Sequence, residues 1–106
     1  MLAGIMFAGM VASAKTEALA IFGEPDCGKW LEGSSPIRKT WLLGYLSGLN
    51  SMDATRIDAL DQLQSAQQAY VWMDNYCKEN PLNGVAEGAA HLFFELANRS
   101  ARAKQK

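Results

Sequence analysis

Trp72-Met73-Asp74-Asn75-Tyr76-Cys77-Lys78-Glu79-Asn80-Pro81-Leu82 is the stretch that decides the fold. Together with Ala69, the residues Trp72, Met73, Tyr76 and Cys77 fall on one stripe at helical spacing. Asp74 and Lys78 lie one turn apart on the outer face, as an i,i+4 pair. The spacing predicts a helix from about Ser65 to Glu79, with Cys77 in its last turn. It must stop before Pro81, because the residue preceding a proline is disfavoured in the α region. Asn80-Pro81 then predicts a restart, as N-cap and first residue of a further helix. That helix carries Leu82, Val85, Ala89, Leu92, Phe93 and Leu96 on its inner face.

Upstream, Ser35-Pro36 reads as another helix start, with Ser35 as N-cap and Pro36 in the first turn. Ile37, Trp41, Leu42, Tyr45, Leu46 and Leu49 follow at helical spacing, and the pattern fades near Asn50. In residues 51–64, Ile57, Leu60 and Leu63 recur every third position, which suits a short helix or a tight helical loop. Residues 15–35 have no sustained period and contain Gly23, Pro25, Gly28 and Gly33, the pattern of an irregular N-terminal arm pinned by Cys27. No strand-like alternation of useful length occurs. The expected fold is all-α: a small disulfide-stapled bundle of three main helices behind that arm.

Residues 1–14 carry no charged side chain, are mostly apolar from Leu2 to Val11, and end in Ala12-Ser13-Ala14. Small residues at those positions are what a signal peptidase needs, so the segment is expected to be a secretory signal peptide. It lacks the basic opening of such leaders, which points to a start upstream of Met1; the rival reading is a buried N-terminal helix. The apolar run is well short of the ~20 residues of a membrane-spanning helix. Cleavage after Ala14 leaves one domain, 15–106, near the size where a hydrophobic core alone gives only modest stability.

Export places the chain in the periplasm or outside the cell, where an even cysteine count reads as a disulfide. Cys27 and Cys77 are the two cysteines, 50 residues apart. A zinc site is poorly served by two cysteines and one distant histidine, and no C-x-x-C redox pair is present. No catalytic residues, metal ligands or cofactor motifs are assigned, and the chain is not expected to be an enzyme. His91 sits between Glu87 and Glu95 on the polar face of its helix, without a nucleophile to serve. Trp30, Trp41, Tyr45, Trp72, Tyr76 and Phe93 are expected to form core rather than a ligand pocket.

The formal charge is −1, but it is unevenly spread. Arg99, Arg102, Lys104 and Lys106 are cationic, leaving six basic against eleven acidic groups before them. An acidic body argues against nucleic acid, whose affinity comes mainly from neutralised phosphates. Gly44 and Gly48, one turn apart with Ser47 beside them, make a flat strip within a helix. The expectation is that the arm or a neighbouring helix lies on it, and the alternative is a docking groove for a partner. Asp53, Arg56, Asp58 and Asp61, in the segment joining two helices, are candidate partner-binding residues.

Four stretches together resemble a known group: Cys27-Gly28-Lys29-Trp30, the helix from Trp41 through Gly44-Tyr45 and Gly48 to Asn50, the segment Trp72–Leu82, and Ala89–Leu96. They resemble small exported proteobacterial proteins of the HdeA-like fold and its relatives, the Rap/Tai-type immunity proteins of type VI secretion. The resemblance covers nearly all of residues 15–106, although the immunity proteins often carry a further cysteine pair. It implies a periplasmic, disulfide-stapled helical domain without catalysis that acts by binding another protein. That partner would be a secreted effector such as a cell-wall amidase, or a second copy of the chain in a homodimer. The resemblance also admits an acid-stress chaperone, or an accessory periplasmic role without a discrete ligand. Gly44, Gly48, Trp72, Asn80 and Pro81 carry over as fold determinants.

Overall fold

Helix α1 (Cys27–Leu31) follows an extended arm, and α2 (Pro36–Met52) follows α1. A 3-10 turn over Ala59–Gln62 comes next, then α3 (Ala66–Glu79) and α4 (Val85–Lys104). The computed structural model describes residues 20–33 and 35–105. The signal-peptide expectation for residues 1–14 lies outside the described residues. Helix α4 lies centrally, packed against α2, α3 and the 3-10 turn, while α1 packs on α3. Among the described residues the chain is mostly helical, and its one β interaction is an isolated bridge between Asp26 and Gly84.

The capping chemistry of α2 matches the sequence. Ser35 Oγ accepts a hydrogen bond from the Arg38 amide at 3.3 Å, and Pro36 occupies the first turn. Its buried residues are Leu42 and Leu46, with Trp41, Tyr45 and Leu49 packed partly against the core. Ile37 was expected on that stripe but is 82% exposed. At about 100° per residue it lies about 140° around the helix from Leu42, so the face that buries Leu42 turns Ile37 outward.

Helix α3 buries Ala69, Met73 and Cys77, each one turn after the last. Trp72 and Tyr76 flank that stripe, stacked on each other with ring centroids 5.4 Å apart. Asp74 does not serve as an outer-face partner for Lys78. Its Oδ1 accepts a 2.7 Å hydrogen bond from Trp30 Nε1, tying α3 to α1.

The restart at Asn80-Pro81 is not what the chain does. Asn80 closes α3 instead: its amide and its side-chain Nδ2 both donate to the Tyr76 carbonyl at 2.9 Å. Residues 81–83 form a turn, α4 begins at Val85, and Leu82 is 97% exposed rather than buried. The arm fixes this start. The Cys27 amide donates to the Asn83 carbonyl, the Val85 amide to the Pro25 carbonyl, and the Ala86 amide to Glu24 Oε2 at 2.8 Å. A helix beginning at Pro81 would turn the Asn83 carbonyl into its own ladder and leave Cys27 without that acceptor.

The arm is also less irregular than expected. Asp26 Oδ1 accepts from the Lys29 amide at 2.7 Å and caps a five-residue helix, α1, that buries Cys27 and Trp30. Cys27 and Cys77 form a disulfide with Cα atoms 5.0 Å apart, both fully buried. Among the described residues no helix is long and apolar enough to cross a membrane.

Candidate partner-binding face

The glycine strip is open. A Cβ built on Gly44 or Gly48 meets nothing within 4 Å, so neither the described arm nor a neighbouring helix covers it. The glycine that admits a close helix approach is Gly88 on α4, where a Cβ would stand 2.7 Å from Met73 Sδ and 2.8 Å from Tyr76 Cδ2. Gly88 reads as an ordinary interior glycine in the sequence. Its one signal is its place among Val85, Ala89 and Leu92 on the inner face.

Gly44 and Gly48 instead floor a groove of about 580 Å³ between the C-terminal half of α2 and the outer flank of α4. Ala90, Phe93 and Phe94 form one wall, and Tyr45, Leu49 and Met52 the other. Phe94 is 64% exposed and Met52 82% exposed, so the groove is rimmed by large apolar side chains that the fold leaves in solvent. Phe93 and Phe94 meet edge-on with centroids 6.0 Å apart, which links the exposed ring to a buried one. Phe94 and Met52 were missed in the sequence because each falls off the helical stripe that packs the core. The run Leu92-Phe93-Phe94 is nonetheless a signal, since three consecutive residues span about 200° and overrun an apolar stripe about 100° wide.

Of the four charged loop candidates only Asp53 lines this groove. Asp53 lies on the groove's edge with Ala54. Its carboxylate accepts from the Thr55 hydroxyl and the Thr55 amide, closing a tight turn at the end of α2. Arg56 follows with φ +61°, in the left-handed region. Asp58 Oδ1 accepts from Asn50 Nδ2 at 2.9 Å, while Asn50 Oδ1 accepts from the Ala59 amide at 2.9 Å. Asp53 and Asp58 therefore have internal partners that their sequence context did not suggest. Asp61 stands in the 3-10 turn, exposed like Arg56. The loop is a built connector that sets one carboxylate, Asp53, at the edge of an apolar floor.

The remaining residues singled out in the sequence have structural surroundings. Trp72 Nε1 donates to Glu95 Oε1 at 3.3 Å, and Glu95 also pairs with Arg99 one turn on. His91 is exposed, its ring 5.6 Å from that of Tyr76. Among the described residues no cluster of three or more His, Cys, Asp or Glu side chains is arranged to hold a metal ion. No family model, curated protein or solved structure matches this chain.

Proposed function

We propose that this is a periplasmic protein that acts without catalysis, by binding another protein through the groove over Gly44 and Gly48. The observation that carries the reading is an open, largely apolar groove whose floor has no Cβ atoms and whose rim exposes Phe94 and Met52. A contiguous exposed apolar patch with a polar edge is the kind of surface that marks an interaction site. A disulfide buried at the junction of arm and bundle suits an oxidising compartment. The occupant that fits is a protein segment with an apolar anchor beside a basic residue: the anchor sits over the glycines and the cation faces Asp53. A secreted effector, the partner that the resemblance to type VI immunity proteins implies, has that chemistry where its cleft is basic.

The test is Gly48→Leu, which fills the groove from its floor. Oxidised wild type and variant are compared by thermal melting, by sedimentation, and by stoichiometric capture from periplasmic extract with identification of the captured protein. A variant that melts at or above the parent's temperature but loses one effector-type partner supports the proposal. Identical recovery overturns it, and a wild-type dimer that Gly48→Leu dissociates would assign the groove to a second copy instead. A variant neutralised at Asp53, Arg56, Asp58 and Asp61 shows whether the loop charges contribute.

A further inference from the structure

A second concave site lies on another part of the molecule and stands apart from the groove reading. Where α1 ends, α2 begins and α3 completes its last turn, Trp30, Leu31, Arg38, Lys39, Asp74 and Lys78 line a cleft of about 280 Å³. Only six cationic side chains precede Arg99 in this chain, and three of them line this cleft. Asp74 is the one carboxylate among the lining side chains, and it spends Oδ1 on Trp30 Nε1. Lys39 Nζ sits over the Tyr70 ring, 5.0 Å from its centroid, which holds that charge at the cleft wall. Arg38 Nε is shielded from solvent and has no hydrogen-bond acceptor among the described residues.

Arg38 Nε is closed to a ligand as it is to water, which leaves the terminal Nη groups of Arg38 as the donors that a ligand in the cleft can meet. Arginine presents its donors in a planar fork matched to the two oxygens of a carboxylate. Trp30 and Leu31 supply an apolar wall for the methylenes of a side chain that bears one. We propose that the cleft binds a carboxylate group carried on a short apolar stem, as a glutamate side chain of an acidic peptide segment presents it. Arg38 receives the carboxylate, Lys78 and Lys39 complete the positive field, and Trp30 packs on the stem.

The experiment is an NMR titration of the oxidised protein at low salt, following the Arg38 Nε–H and Trp30 indole N–H signals. The probes are acetyl-Gly-Glu-Glu-Gly-amide, its Gln-Gln counterpart and inorganic phosphate. The expected result is a saturable shift of both signals with the glutamate peptide and none with the glutamine peptide. Arg38→Gln should weaken binding about tenfold or more, since charge-assisted hydrogen bonds are the ones lost. Lys78→Gln should weaken it severalfold, whereas Lys29→Gln, outside the cleft, should leave it unchanged. Melting temperatures of the three variants show that each is folded. No saturable shift with the glutamate peptide overturns the proposal, as does undiminished binding by Arg38→Gln. Saturation by phosphate alone also overturns it, by making the cleft a site for a free inorganic anion.

Discussion

The same substitution, glycine to alanine, should change stability in opposite directions at two places in this fold. At Gly88 a Cβ would stand 2.7 Å from Met73 Sδ and 2.8 and 2.9 Å from two carbons of the Tyr76 ring, where ordinary contact begins at 3.4 Å. The neighbours would have to retreat by about 0.6 Å. Met73 is fully buried, and Tyr76 is pinned: its ring stacks on Trp72 and its hydroxyl accepts from Asn83 Nδ2 at 2.9 Å. Overpacking of this sort costs about 1–3 kcal/mol. Alanine's better helix propensity returns about 0.5–1 kcal/mol, so Gly88→Ala should lose up to about 2.5 kcal/mol net, about 1 kcal/mol at mid-range. At Gly44 and Gly48 the added methyl meets nothing, and each substitution should gain about 0.5–1 kcal/mol from propensity alone. Urea unfolding of the oxidised protein measures both, and for a domain of this size 1 kcal/mol moves Tm by about 4–8 °C. Gly88→Ala at or above parental stability, or a less stable Gly44→Ala/Gly48→Ala double variant, would refute the packing argument.

Two further outcomes follow from the arm. Thiol labelling of the unfolded, non-reduced protein should find no reactive cysteine, and reduction should cost about 4 kcal/mol, the chain-entropy value for a 50-residue separation. Glu24→Ala should cost about 1 kcal/mol by uncapping α4, with hydrogen exchange accelerated at the Ala86 amide; unchanged exchange there would show that Glu24 caps nothing in solution.

What the sequence could tell was governed by how local the cause was. The start of α2 was legible because Ser35 and Pro36 act within one turn, and the Ala69–Met73–Cys77 stripe because burial on a helix recurs every three or four residues. The start of α4 was misread because its cause is non-local. Asn80-Pro81 has good N-terminal chemistry, but bonds to Pro25, Cys27 and Glu24, more than fifty residues away, place the first turn at Val85. Gly44, Gly48 and Gly88 look alike as letters, and only the position of Met73 and Tyr76 distinguishes the packed glycine from the open ones. The two concave sites were only half visible for the same reason. Gly44, Gly48 and Asp53 were candidates, whereas Phe94, Met52 and the company kept by Arg38 and Lys78 depend on which helices adjoin.

The disulfide also bears on the order in which the molecule assembles. Pairing Asp26 with Gly84 in a reduced chain means closing about 58 residues of contour. Once Cys27 is joined to Cys77, the shortest path between the same residues runs through the sulfurs and is about eight residues long. The logarithmic dependence of closure entropy on length makes that difference about 2 kcal/mol at the moment the pair forms. Oxidation therefore turns the arm into a template on which the last helix is started, with the Pro25 carbonyl and the Glu24 carboxylate already waiting for its first amides. In the reduced chain that template is about 2 kcal/mol harder to bring up, and Asn80-Pro81 competes as the place to begin.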